Sequence, residues 1–277
     1  MGLEWGKDKK RVLSIEKFKD ECIIFLSKYE EFIFKGATLL ERINKNDELL
    51  VERSTKDIDI TNIGKSKKEL KEIVKNFIEV LESKYDLSGY EIVENTKTLN
   101  SEDYYTIDFV IKGTSTINFN LDFSVAGRYN QGFLYHIDIA DILGYNVNKI
   151  YSDKMSTIST RQIFSRIKDF VDMYNLSFHK DHEISFEEIN YFNRNNEDFK
   201  VGDFRQLLEM KTNIRKAFLK MRGLKLKDDI KRSKEEVFED MYMRVIDFVT
   251  PFIYLGRNEE YLNTVWDPES SEWYRKS

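Results

Sequence analysis

Two acids one residue apart, Asp57 and Asp59 in Arg53-Ser54-Thr55-Lys56-Asp57-Ile58-Asp59-Ile60, have the spacing of a metal-binding pair. Residues 56–61 alternate as a half-buried strand does, so both carboxylates share one face while Ile58 and Ile60 turn to the core. Carboxylates this close repel each other unless a cation lies between them. Hard oxygen donors of this kind suit Mg²⁺ or Mn²⁺ beside phosphate oxygens. Upstream, Lys35-Gly36-Ala37-Thr38 joins a short apolar strand, residues 32–34, to a helical stretch, residues 37–43. Such a turn presents backbone N–H groups at a helix N-terminus, where phosphate binds. A third acid, Asp122, lies in the alternating segment Asn118-Phe119-Asn120-Leu121-Asp122-Phe123-Ser124, which predicts a neighbouring strand. Three acids on adjacent strands would complete a two-cation site that activates a hydroxyl and stabilises a leaving pyrophosphate. Asp108 competes for that third role and reads as an ordinary outward-facing strand residue.

A second charged group lies in residues 154–174. On one continuous helix at about 100° per residue, Lys154, Arg161, Lys168 and Asp172 share a narrow arc with Asp169 at its edge. Ile163, Phe164, Ile167, Phe170, Val171 and Tyr174 fill the opposite side as core. A charged stripe of this kind reads as a solvated face.

The elements that must position these groups follow from pattern. Residues 14–29 predict an amphipathic helix, and residues 66–85 a second one with Ser66 as N-cap. Residues 90–94, 104–111, 116–125 and 134–139 are β-branched and aromatic between Gly and Asn, and predict strands. After about residue 148 the pattern is almost wholly helical. The expected architecture is α+β and bilobed: a mixed-sheet core over residues 1–150 and an all-helical C-terminal lobe over residues 151–277.

Composition bounds what such a molecule can be. The 277 residues carry 44 Lys and Arg against 49 Asp and Glu, a net charge of −5, so indiscriminate binding to polyanions is disfavoured while a local basic patch is not. Aromatics at 14% are too many for a disordered chain. The single cysteine, Cys22, excludes an internal disulfide and a Cys-based zinc site. No apolar run approaches the roughly 20 residues of a membrane span, and the N-terminus lacks a signal-peptide pattern, so a cytoplasmic location without a membrane partner is expected.

Together the two charged segments resemble the AbiEii/AbiGii nucleotidyltransferase toxins of abortive-infection and toxin–antitoxin systems, within the DNA polymerase β-like superfamily. The family pattern is a Lys-Gly-Gly-Thr-like turn followed by Arg-x-Ser-x-Asp-x-Asp, matched here by Lys35-Gly36-Ala37-Thr38 and residues 53–59. Ala37 replaces the second Gly. Lys154, Ser159, Arg161 and Lys168-Asp169-Phe170-Val171-Asp172 match a second family motif in order. The resemblance implies a nucleotidyltransferase core packed on a helical domain, with NTP and Mg²⁺ in a cleft and an RNA acceptor, a tRNA 3′ end in the best-understood cases. It further implies that Asp57 and Asp59 hold metal, with Asp122 resting on the strand argument. Lys35, Gly36 and Thr38 would line the phosphates, and Arg53, Ser54 and Arg161 would support the triphosphate. Lys154 would offset its charge, and Asp169 would act as base, oriented by Asp172 or Arg161.

Residues 211–234 crowd basic side chains, Arg215, Lys216 and Lys220 among them, with Phe218, Met221 and Leu224 between. They suit either an RNA backbone or a solvated helix face. His179 and His182 read as an exposed loop, and Trp266 and Trp273 as packing on the helical lobe or meeting a partner such as an antitoxin. Two other readings stay open: a non-catalytic nucleotide-binding partner protein, and a small-molecule transferase resembling aminoglycoside nucleotidyltransferases.

Overall fold

The computed structural model describes residues 11–43, 51–53, 55–88, 90–94, 103–111, 117–127, 129–159, 166–195, 204–222, 224–226, 231–253 and 258–276. Two compact units result, one of Met1–Leu39 with Lys56–Gly144 and one of Leu40–Thr55 with Tyr145–Ser277. The second unit thus takes in residues 40–55, which a continuous 1–150 domain would have placed in the first.

The first unit comprises β1 (Arg11–Val12), α1 (Ile15–Leu26), β2 (Phe32–Lys35) and the start of α2 (Gly36–Ile43). After the excursion of β3 (Val51–Arg53) into the second unit come β4 (Asp57–Asn62), α3 (Lys67–Lys84), β5 (Tyr85–Asp86), β6 (Tyr90–Glu94), β7 (Tyr104–Ile111), β8 (Ile117–Val125), β9 (Phe133–Ile137) and β10 (Ala140–Gly144). Seven strands form a mixed sheet in the order β6-β7-β8-β4-β2-β10-β9. The β4–β8 and β10–β2 pairs are parallel and the others antiparallel.

Alternation decides which face is dry. Ile58 and Ile60 of β4, Leu121 and Phe123 of β8 and Ile107 and Phe109 of β7 are buried. Phe18 of α1 seats against Phe77 of α3 and against Phe109 and Phe119, with ring centroids 5.7, 4.7 and 4.6 Å apart. Each such side chain contributes roughly 1.5–3 kcal/mol by leaving water. Both helices start where the sequence predicts: Ser14 caps α1, and Ser66 with Glu69 forms a reciprocal capping box on α3. The other sheet face carries Asp59 of β4, Asp122 of β8 and Thr106 of β7.

The second unit holds α4 (Val147–Ile158), α5 (Ile167–Leu176), α6 (Phe186–Asn195), α7 (Arg205–Glu209), α8 (Lys211–Lys220), β11 (Leu224–Leu226), α9 (Lys234–Ile253), β12 (Thr264–Asp267) and β13 (Glu272–Arg275). It is helical apart from two small strand pairs, β3 with β11 and the hairpin β12–β13. The tryptophans pack within this unit: Trp266 and Trp273 face each other across the hairpin, and Trp273 Nε1 donates to the Phe248 carbonyl of α9. Arg244 of α9 ties the hairpin down through the carbonyls of Ser177 and Pro268, with its guanidinium 3.5 Å over the Phe178 ring. Among the described residues no helix is long and apolar enough to cross a membrane.

Candidate active site

The register of the sheet assembles a row of polar side chains that sequence spacing alone does not reveal. Lys35 of β2 lies opposite Asp59 of β4, Asp59 opposite Asp122 of β8, and Asp122 opposite Thr106 of β7. Directly paired residues share a sheet face. One row along, Asp57 pairs with Asn120 and Asn120 with Asp108. Asp57, Asp59, Asp108 and Asp122 therefore occupy one face with Lys35 among them. Asp108 faces outward as expected, and its charge is felt at Asp122.

That effect is visible in the protonation of Asp122. Burial pushes its carboxyl above the usual aspartate range, the hydrogen bond from Thr106 opposes this, and the charges of Asp57 and Asp108 add to the upward push against the pull of Lys35. Lys35 Nζ donates to Ser124 Oγ at 2.6 Å, which fixes the ammonium beside the row.

Gly36 explains how Asp59 is held. Its φ of +68° is in the left-handed region, and a Cβ built on it would fall 2.1 Å from Asp59 Oδ2. The carboxylate lies where a side chain at residue 36 would be, at the start of α2 and within reach of the helix's partial positive charge. Ala37 is inside α2, and no non-glycine residue among those described takes a positive φ here. The missing second glycine therefore costs the turn nothing. Thr38 is buried, and its hydroxyl donates to the Asp57 carbonyl oxygen. This bond ties α2 to β4.

The donor chemistry fits a hard divalent cation, since two carboxylates on one strand face are what Mg²⁺ takes alongside phosphate oxygens. The gap occupied by Asp59 against Gly36 keeps that carboxylate in place. Among the described residues, however, no three His, Cys, Asp or Glu side chains lie close enough together to hold a metal by themselves. The Asp122 carboxyl is hydrogen-bonded to Thr106.

In the second unit the single helix expected over residues 154–174 is two, α4 ending at Ile158 and α5 beginning at Ile167. Helix packing, rather than one helical arc, gathers the charges. Lys154 Nζ sits 2.7 Å from both Asp169 Oδ1 and Asp172 Oδ2, and Arg166 Nε sits 2.8 Å from Asp169 Oδ2. Asp169 and Asp172 are buried at 6% and 5% exposure, so the stripe expected to face solvent is internal. Among the described residues of that arc, only Lys168 is exposed as expected. Burial pulls the Lys154 pKa down, but the charges and hydrogen bonds of Asp172 and Asp169 outweigh it and hold the ammonium above its usual value.

Of the remaining candidates, Arg53 lies in β3 and pairs with Leu224 of β11 in the second unit, outside the sheet of Asp57. Ser54 and Arg161 lie outside the described residues, as does the side chain of Arg53. Lys216 and Lys220 are exposed one turn apart on α8, Arg215 is half-buried beside them, and Ile214 and Phe218 turn inward. The histidines are a correction: His179 is buried, and its Nε2 meets His182 Nδ1 at 2.8 Å with the rings stacked. Burial, helped by the nearby His182, depresses the His179 pKa to about 4.

A mixed sheet with a one-sided carboxylate face is joined in sequence to a helical unit with a Lys–Asp–Asp cluster. The family model described as nucleotidyl transferase AbiEii toxin, type IV toxin–antitoxin system, matches residues 22–245, and the chain belongs to that family. A search of curated protein sequences finds no match. Among solved structures, JHP933 from Helicobacter pylori aligns with a TM-score of 0.52 at 14% identity, covering 90% of this chain and 94% of that one. A second H. pylori chain aligns at 0.51 and 13% identity, over 86% and 94%. MenT4, a nucleotidyltransferase toxin of Mycobacterium tuberculosis, aligns at 0.48 and 11% identity, over 93% and 90%. At these identities the two H. pylori chains establish a shared fold.

Proposed function

We propose that this chain moves a nucleotidyl group from an NTP to an RNA acceptor, the 3′ end of a tRNA, in the manner of a toxin countered by a cognate antitoxin. The observation that carries the reading is the carboxylate face of the first unit, where Asp57, Asp59 and Asp122 share one side of adjacent strands and Gly36 makes room for Asp59. Asp57 and Asp59 would hold Mg²⁺ or Mn²⁺. Bound there, the cation supplies charge neutralisation on the phosphates and acidifies an attacking hydroxyl. Lys35 adds a fixed positive charge beside Asp59, and the Gly36 turn offers backbone N–H groups to phosphate. Asp169 accepts the proton of the acceptor hydroxyl. Its oxygens are fixed by Lys154 and Arg166, and Asp172 keeps Lys154 in place from the other side. Arg53, Ser54 and Arg161 are assigned to the triphosphate by motif. Exposed Lys216 and Lys220, with Arg215, are assigned to the RNA backbone, so RNA affinity falls steeply with salt.

The test is incubation with each labelled NTP, Mg²⁺ and total tRNA, with Asp59→Ala beside wild type. Label on tRNA with wild type alone supports the reading. NTP binding without transfer to any acceptor contradicts it, and transfer to small hydroxyl acceptors in place of tRNA replaces the acceptor assigned here.

A further inference from the structure

The polar face of the first unit continues past the acids. One pairing step beyond Asp122 along β8, Ser124 lies opposite Tyr104 of β7. Ser124 Oγ is the atom that receives the Lys35 ammonium. Tyr104 and Asp122 are diagonal neighbours across an antiparallel pair, a relation of about 7–8 Å between backbones. Residues 104, 106 and 108 point to the face of Asp59 and Asp122, since Tyr105, Ile107 and Phe109 are buried on the other.

Tyr104 departs from its neighbours in one respect. The other described aromatics of β7 and β8, Tyr105, Phe109, Phe119 and Phe123, are 2–4% exposed, while Tyr104 is 58% exposed. Those four lie on the packed face, whereas Tyr104 lies on the open face of the acids, at the start of β7. A ring beside a fixed ammonium and a row of carboxylates has the composition of a nucleotide site: charge for the phosphates and cation, a flat apolar surface for the base. Base–aromatic stacking tolerates every base because each has a π-face.

We propose that Tyr104 is a nucleobase-stacking platform of the carboxylate face. The proposal rests on the nucleotidyltransferase reading of that face and names the group that would hold the base. The base is that of the NTP, with the terminal base of the acceptor as the second source of the same chemistry. Stacking on a phenol ring supports binding without choosing among the four bases, so selectivity among NTPs resides elsewhere.

Full-length protein carrying Tyr104→Leu or Tyr104→Phe separates a ring effect from loss of apolar bulk. Equilibrium dialysis with each labelled NTP and Mg²⁺, together with KM for NTP and for tRNA, gives the readout. Tyr104→Leu is expected to weaken NTP binding about ten- to a hundredfold for all four nucleotides, with kcat changed less. Tyr104→Phe retains wild-type values. A rise in KM for tRNA with unchanged NTP binding assigns the platform to the acceptor base and supports it equally. Tyr104→Leu that matches wild type in both, or Tyr104→Phe as impaired as Leu, overturns the platform while wild-type transfer leaves the parent reading standing. Wild-type protein that binds no NTP and transfers nothing overturns the parent reading, and the platform with it.

Discussion

The two charged groups of this chain are built on opposite principles. On the sheet of the first unit, four aspartates share a face with one fixed lysine, and burial, with the charges of Asp57 and Asp108 adding to it, raises the pKa of Asp122. In the second unit two cations, Lys154 and Arg166, meet two buried anions, Asp169 and Asp172, and the charges cancel. A cluster that balances itself has no need of a ligand; removing one member leaves a buried charge alone. A cluster of one sign is at odds with its surroundings until a cation arrives, and so the first is the place where binding free energy is to be found. The second holds its own members in fixed positions.

The largest effect that sharpens this contrast is at Gly36. Gly36→Ala puts a methyl group onto Asp59 Oδ2 and forces a left-handed φ on a residue with a Cβ. Displacing that carboxylate by about an ångström is expected to cost on the order of a hundredfold in transfer. Stability falls by roughly 1–3 kcal/mol. Steady-state transfer and urea unfolding measure the two separately. Lys154→Met breaks the balanced cluster and is expected to destabilise by about 3 kcal/mol, since Asp169 and Asp172 lose their shared partner. Adding Asp172→Asn should restore part of that loss, which unfolding curves of the single and double variants would show.

A smaller effect concerns pH. His179 has a folded pKa of about 4 against an ordinary value near 6.5, so below the latter the unfolded chain takes up a proton that the folded one resists. Stability should therefore fall as pH drops from about 6.5 towards 4, by about 3 kcal/mol, and His179→Gln should flatten that slope. The smallest effect is of opposite sense and belongs to the one-sided face. Asp122, with its raised pKa, loses its proton less readily folded than unfolded, so its ionisation opposes folding as pH rises above the ordinary aspartate range. Asp122→Asn should raise Tm slightly at pH 7, and the gain should vanish below about pH 4. A Tm lowered at pH 7 would break the claim that charge surplus distinguishes this face.

Much of the first unit was legible in the sequence, because two-residue alternation in β4, β7 and β8 and the Ser66 cap are local signals. The acids and the Lys35-Gly36 turn were legible for the same reason. Register was not: that Lys35 faces Asp59 and that Asp108 joins the acids follow from strand pairing over long sequence separations. The second unit misled a helical-wheel reading, since α4 and α5 are distinct helices and Lys154 meets Asp169 by tertiary packing. Asp169, Asp172 and His179 show the same limit, as polar residues become buried only when a partner from another turn or helix arrives. The assignment of residues 40–55 to the second unit depends on β3 pairing with β11, about 170 residues downstream.

Direct uptake of Mn²⁺, followed by the electron paramagnetic resonance of the free ion in the presence of a non-hydrolysable NTP analogue, bears most closely on the carboxylate face. Wild type is expected to take the ion from solution, and Asp59→Asn, of unchanged fold by circular dichroism, is expected to leave it free. Equal uptake by the two proteins, or none by wild type, would contradict the account.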